Sequence, residues 1–464
     1  MEYNDMKEMQ AKIKLIAVDM DGTFLDDQMN YQRSVFRKIY EYFKKNDIHF
    51  VVASGNQYYQ LKSFFDDFQD ELTYISENGA LIIEKQQEIF HNEISCQDVE
   101  VIVQRLQKDK RIGICLCGMK SAYILNGSIE FYHCYSKYYY RLEMIESLQE
   151  IDDTILKIAL MVPEDETDDI LQELIKDLSH VIEPVSSGHG SIDLIVSGFN
   201  KATAIEFLCE RYHISLDECA AFGDGGNDIK MIQKVKYGFA MKNGSQAIKD
   251  IADYIVPSNN EHGVIQTLLE IFDIPAVSER EKALLGMWYD PNHNPQVVED
   301  RLNTHHLCYL YNQTDPLELK KRQSILEEIF QSQVHNLEIV PPFLCDCGPY
   351  IQFGKNIFVN SHAYFMDGAQ ITIGDNVFIG PSVGLYTAIH PLNYKKRNAG
   401  YEKAKPITIG DNVWLGANVI VLPGVTIGSG SVIGAGSVVN KDIPENVVAF
   451  GNPCRVVKTI EQND

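Results

Sequence analysis

Residues 407–443 read ITIGDNVWLGANVIVLPGVTIGSGSVIGAGSVVNKDI. Every sixth position is aliphatic or small: Ile407, Val413, Val419, Val425, Ser431, Ser437 and Ile443, with Gly410, Gly416, Gly428 and Gly434 at a fixed offset. A helix repeats every 3.6 residues and a strand every two, so neither yields this spacing. A coil that spends one hexad on each of its short flat faces does. Such coils stack and bury a continuous core, so the pattern predicts a parallel β-helix.

Outward from this stretch, an earlier set at Ile351, Ile357 and Ala363 follows the same spacing, then slips by two before Ile371, Val377 and Val383. Residues 386–406 break the pattern and read as a loop thrown out of the coil, carrying His390 among basic residues. Residues 279–335 are polar, charged and helical in spacing, and Asp273–Ser278 reads as a linker. Further upstream, apolar runs at Ile13–Val18, Phe50–Ala53 and Tyr74–Ile75 alternate with helical spacing at Arg33–Lys45 and Tyr58–Phe68. The alternation returns at Ile192–Val196, Cys219–Phe222, Tyr237–Met241 and Tyr254–Val256. Fully apolar strands alternating with helices imply a parallel sheet covered on both faces. Between about 85 and 190 the strands become shorter, more polar and rich in tyrosine, which reads as an inserted α+β domain.

The 464 residues suit two or three domains, and 45% hydrophobic with 23% charged residues is a globular balance. A formal net charge of −24 argues against nucleic acid or an anionic membrane as the main partner, because both need a basic footprint. With no apolar run long enough to span a bilayer and no leader pattern, the chain reads as cytoplasmic. The ten cysteines include i, i+2 pairs at Cys115/Cys117 and Cys345/Cys347, and read as reduced structural thiols.

Asp19-Met-Asp21-Gly22-Thr23 closes the first apolar run. One carboxylate can attack phosphorus while the other passes a proton to the leaving oxygen, and a magnesium ion with oxygen ligands would offset the repulsion between anions. Gly223-Asp224-Gly225-Gly226-Asn227-Asp228 also follows an apolar run, Ser54 ends another, and Lys201 begins a helix. In a doubly wound sheet such strand ends converge on one edge. With Glu77-Asn78-Gly79-Ala80, this constellation resembles the Cof-type phosphatases of the haloacid-dehalogenase-like hydrolases over residues 13–273. The resemblance implies that the inserted domain is a cap selecting substrate. It also implies Asp19 as nucleophile, Asp21 as general acid/base, Ser54 and Lys201 as phosphate holders, and Mg²⁺ bound by Asp19, the Asp21 carbonyl and Asp224 with support from Asn227 and Asp228. Where the family has Thr-Gly-Arg, this chain has Ser54-Gly55-Asn56.

His390 lies in Thr387-Ala-Ile-His390-Pro391, the large interruption of the coil. Acetyl transfer to a hydroxyl needs a base that titrates near neutrality, which histidine supplies. From Glu279 to about Ile460 the chain resembles the maltose and galactoside O-acetyltransferases of the hexapeptide-repeat family. The match includes Pro341-Pro342-Phe343, Asn412-Val-Trp414, Pro423-Gly424-Val425, Lys441-Asp442-Ile443-Pro444 and Gly451-Asn452-Pro453. It implies a left-handed coil, against the general preference for right-handed parallel connections. His390 would be the base. Asp346, Asn360 and Asp367 would contact the sugar, although Asn360 and Asp367 read equally as turn residues between coils. Trp414 and Gly416 would line the coenzyme A channel, although Trp414 reads equally as a core or trimer contact. The family assembles as trimers.

The expected architecture is multidomain α/β plus β. A Rossmann-like core (1–84 and 191–273) carries an α+β cap (85–190). A linker (274–278) and a helical piece (279–338) lead to a left-handed β-helix (339–464). The expected function is a phosphatase fused to an acetyl-CoA-dependent sugar O-acetyltransferase, acting on small phosphate esters and sugars. In the alternative the first half only senses a phosphosugar.

Overall fold

The computed structural model describes residues 3–65, 68–127, 129–188 and 190–461. The chain divides into two compact units, residues 1–276 and 277–464. Among the described residues no helix is long and apolar enough to cross a membrane.

The first unit is built on an eight-stranded sheet. Its strands lie in the order Tyr254–Val256, Tyr237–Met241, Cys219–Gly223, Leu15–Val18, His49–Ala53, Thr73–Ser76, Leu81–Glu84 and Gln87–His91. The first six are parallel, and the last two join antiparallel. Strand order reverses between Leu15–Val18 and Cys219–Gly223, which makes their carboxyl ends the switch point of the sheet. Leu15, Ala17, Val51 and Ala53 pack under Ile205, Leu208 and Met231 on one face. On the other face Phe50 meets Phe36 and Phe43, and Phe43 meets Phe272. The apolar strands are therefore buried from both sides. The helix expected over 58–68 runs only from Tyr58 to Ser63, and Asp66 and Asp67 lie outside the described residues.

A six-stranded sheet forms the inserted domain, with Ile155–Met161 between Ser191–Ile195 and Gly113–Gly118. Helices Cys96–Leu106 and Thr167–Leu178 cover one face through Ile102, Leu106, Ile170 and Leu174. Ser191–Ile195, expected as the return of the core, instead pairs antiparallel with Ile155–Met161 and Glu183–Gly188 inside this sheet. At the other side, Gln87–His91 stays with the core sheet beyond residue 84. An apolar run reports burial, not which sheet buries it.

In the second unit three sheets of parallel coil strands form the faces of a prism, consecutive coils placing one short strand on each face, and Arg455–Thr459 joins one sheet antiparallel at its end. This agrees with the left-handed β-helix expected. Ile407, Val413, Val419 and Val425 point into the prism and are buried. Ser431 and Ser437 are buried too, and each hydroxyl donates to a carbonyl and accepts a backbone N–H, which suits a small polar side chain inside the coil. Asn336, Asn356, Asn376 and Asn412 stack at one corner in left-handed backbone conformation, amide upon amide. Gly416 faces the next coil so closely that a Cβ would lie 2.7 Å from the Ala435 nitrogen. Residues 388–404 leave the prism as a ribbon, Ala388–Ile389 paired with Lys403–Ala404, around the short helix Tyr394–Asn398. Helices Pro295–Gln313 and Leu319–Phe330 close the first coils with Cys308, Tyr311 and Phe330.

Candidate active sites

The first site lies at the switch point. Asp19 follows the strand ending at Val18, Ser54 the strand ending at Ala53, and Asp224 the strand ending at Gly223. Lys201 opens the helix Lys201–Tyr212, which Asn200 caps by accepting the N–H groups of Ala202 and Thr203. The Lys201 ammonium, wholly buried, donates to Asp19 at 2.5 Å and to Asp228 at 2.7 Å. Asp228 in turn accepts the N–H groups of Asp224 and Gly225, both at 3.1 Å. Thr23 donates to Asp224 at 2.9 Å. Gly22 sits at φ +71, and a Cβ there would lie 2.5 Å from an Asp224 carboxylate oxygen. The glycine of the first motif is thus required both by its backbone and by its neighbour.

Asp19, Asp224 and Asp228 each offer an oxygen within 4.8 Å of the others. Three carboxylates face one ammonium. Burial and the Asp228 charge push Asp19 well above the ordinary carboxylate range, against the pull of Lys201. Asp224 is pushed up to about 6, first by burial and then by Asp228. Burial opposes the charge on Lys201, but Asp19 and Asp228 outweigh it and raise the group. A compact set of hard oxygen donors with excess negative charge fits a Mg²⁺-sized cation.

The Asp21 carboxylate stands apart from this cluster. One oxygen accepts the Asn56 amide at 2.6 Å, while the other is buried without a hydrogen-bond partner. Burial raises its pKa. Asn56, the departure from the family's arginine, thus grips Asp21. The Ser54 hydroxyl is buried and accepts the Asn56 N–H at 3.1 Å. The Asn227 amide donates to Asn78 at 3.0 Å.

In the second unit, the exposed His390 follows the ribbon strand Ala388–Ile389. Its Nδ1 lies 3.5 Å from the Tyr401 carbonyl, and its Nε2 lies 4.0 Å from Glu402. Glu402 is a functional candidate missed in the sequence. It pairs through its backbone with Tyr289 and accepts the Tyr289 hydroxyl, and burial raises its pKa. Only the antiparallel fold-back of residues 388–404 brings Glu402 beside a histidine twelve positions earlier; an acid among the basic residues of this loop was the available hint.

Asp346 accepts the Tyr364 hydroxyl at 2.8 Å and lies 3.2 Å from His305. Asp367, expected to contact the sugar, is instead wholly enclosed. Both its oxygens are occupied by the N–H groups of Asp346, Cys347 and Gly348 at 2.7–2.9 Å. It positions Asp346. Asn360 accepts the N–H of Ser361, a local turn bond. Trp414 is 56% exposed, so it is not a core residue. Phe358, Phe378, Trp414, Val432 and Val448 occupy one register on successive strands and form an apolar row on the outer face.

Residues 16–268 match the haloacid dehalogenase-like hydrolases. Residues 282–333 match the maltose acetyltransferase hexapeptide capping motif, and 406–441 the bacterial transferase hexapeptide with six repeats. The 5-amino-6-(5-phospho-D-ribitylamino)uracil phosphatase of Escherichia coli (strain K12) is 37% identical over 257 residues, 55% of this chain and 95% of the relative. A Staphylococcus aureus (strain MRSA252) protein, named provisionally as an acetyltransferase, is 53% identical over 185 residues, 40% of this chain and 93% of the relative. A crystal structure from Streptococcus mutans UA159 covers 55% of this chain and 97% of its own, with 35% identity and a TM-score of 0.53.

Proposed function

Because the chain belongs to the haloacid dehalogenase-like hydrolases through residues 16–268 and to the hexapeptide acetyltransferases through its C-terminal unit, joining a phosphatase to an acetyltransferase, we propose a bifunctional enzyme of sugar-type substrates. One site removes phosphate from an ester and the other acetylates a sugar hydroxyl. The observation that carries the reading is the buried Asp19–Lys201–Asp228 array with Asp224 beside it and Asp21 held separately by Asn56.

In this reading Asp19 attacks phosphorus, and protonated Asp21 gives its proton to the leaving oxygen. The resulting aspartyl-phosphate is opened by a water that Asp21 deprotonates. Ser54 and Lys201 hold the phosphoryl oxygens. Asp19, Asp224 and the Asp21 carbonyl, with Asn227 and Asp228 in support, would hold Mg²⁺, which would supply charge neutralisation when bound. Asn56 supports catalysis over mere sensing, since it holds Asp21, the acid/base of this reading. The Escherichia coli relative is named for a phosphoribityl substrate, which favours a phosphate ester of a sugar or polyol.

At the second site the sugar hydroxyl loses its proton to His390 and attacks the thioester carbonyl of acetyl-CoA. The imidazolium returns the proton to the departing thiolate. The Tyr401 carbonyl favours a proton on Nδ1 and leaves Nε2 as the base. Asp346 remains the candidate for acceptor binding, with Asp367 holding it in place. The local turn bond of Asn360 supports its reading as a turn residue beside that of a sugar contact. Trp414 on its coil supports coenzyme A lining or a trimer contact through the apolar row, and Gly416 admits the neighbouring coil.

Pure protein incubated with Mg²⁺, acetyl-CoA and a panel of sugars and hexose phosphates, read by mass spectrometry, tests both sites. Asp19→Asn should abolish phosphate release and leave acetylation intact. His390→Ala should slow acetylation by about 10²–10⁴-fold and leave phosphate release intact. Phosphate release that survives Asp19→Asn would sink the first assignment, and undiminished acetylation in His390→Ala the second.

A further inference from the structure

Four consecutive residues, Ser54-Gly55-Asn56-Gln57, alternate in what they face. Ser54 accepts the Asn56 N–H, and the Asn56 amide reaches into the phosphatase site, where it grips Asp21. Gly55 and Gln57 turn to the cap. The Gly55 carbonyl accepts the ammonium of Lys157, a residue of the central cap strand, at 2.5 Å. Gln57 exchanges two hydrogen bonds with the backbone of Arg141, each 3.0 Å. Lys157 is buried, and its ammonium also lies 3.1 Å from Glu77 and 3.3 Å from Asp193. A lysine is enclosed this fully only when its charge is matched.

The same ammonium touches a strained turn. Glu77 and Asn78 both hold left-handed backbone, at φ 49 and 57, a conformation that persists only where the surroundings impose it. Lys157 holds Glu77. Asp193 accepts the Asn78 amide at 2.6 Å, and Asn78 accepts the amide of Asn227 in the loop that carries Asp224 and Asp228. One cap lysine is therefore bonded directly to the first catalytic loop and through two side chains to the second.

We propose that Lys157 is a positioning residue for the phosphatase reaction: it makes the placement of Ser54 and Asn56 depend on the cap being seated. This rests on the phosphatase reading above. With the cap lifted, Gly55 and Gln57 lose their partners, and the loop that grips Asp21 is released. Hydrolysis then waits on cap closure even for an ester too small to touch the cap.

The test uses the full chain with p-nitrophenyl phosphate and Mg²⁺. Lys157→Met is paired with Lys157→Met/Glu77→Gln, which leaves one fewer unmatched carboxylate, and with Gln57→Leu, which cuts the second tie and leaves the buried charges untouched. Each folded variant is expected to lose tenfold or more in kcat, with a weaker inhibition constant for inorganic phosphate and a pH profile shifted on the limb that reports Asp21. Amide hydrogen exchange at 54–57 should quicken in each. Wild-type kcat, phosphate inhibition and pH profile in the double variant and in Gln57→Leu would overturn the proposal. If Lys157→Met fails to fold, Gln57→Leu decides. If the wild type hydrolyses no ester, the phosphatase reading fails by itself, and exchange at 54–57 still separates a coupled loop from an uncoupled one.

Discussion

Glu402 illustrates what a single residue contributes once its neighbours are known. It shares a backbone pair with Tyr289, accepts that residue's hydroxyl and stands 4.0 Å from His390. Burial raises its carboxyl above the ordinary 4.5, the Tyr289 hydroxyl pulling the other way. The folded protein therefore keeps this proton to a higher pH than the unfolded chain does. Its stabilising contribution is complete below 4.5 and is lost as pH rises through the raised value. Glu402→Gln is expected to remove that decline, so thermal midpoints of variant and wild type, measured from about pH 4 to pH 7, should follow different slopes. Parallel curves would show that the carboxyl titrates alike in both states. At this scale the acidic motif residues Asp19, Asp21, Asp224 and Asp228 were legible from type and position alone. Glu402 and Lys157 were not, because each owes its place to a partner more than ten residues away.

At the scale of elements, the hexad repeat was legible because every coil repeats the same demand: one side chain inward, one close approach at the corner. The close approach explains the glycine offset. Gly416→Ala would set a methyl group 2.7 Å from the Ala435 nitrogen, backbone that cannot swing aside. The expected cost is about 1–3 kcal/mol, read as a lower denaturant midpoint with an unchanged slope. An unchanged midpoint would leave Gly416 open to a ligand role alone. The strand Ser191–Ile195 shows the opposite case. Its apolar run is real and buried, yet it belongs to the cap sheet. Burial can be read from composition along the run, whereas pairing depends on which distant strand competes for its edge.

Across the whole molecule, each unit carries its own core and its own candidate chemistry. Association is the property that belongs to this scale. The outward row of Phe358, Phe378, Trp414, Val432 and Val448 is apolar along successive coils, with Phe378 and Trp414 both more than half exposed. Contiguous exposed rows of this kind mark contact surfaces. If this row is such a surface, Trp414→Asp is expected to lower the mass read by sedimentation toward that of the 52.7 kDa chain; an unchanged mass would move the contact elsewhere and favour Trp414 as a coenzyme A wall.

By itself the sequence determined both fold classes and the positions of the acidic motifs, since periodicity and strand-end motifs are local properties of the chain. Only the tertiary structure decided that Asp367 is a buried brace, that Asn56 grips Asp21, that Glu402 stands beside His390, and that Lys157 ties the inserted domain to the loop carrying Ser54 and Asn56. Those four depend on which distant backbone or side chain fills the remaining hydrogen-bonding capacity of a buried polar group. That choice is made by packing and leaves no period in the sequence.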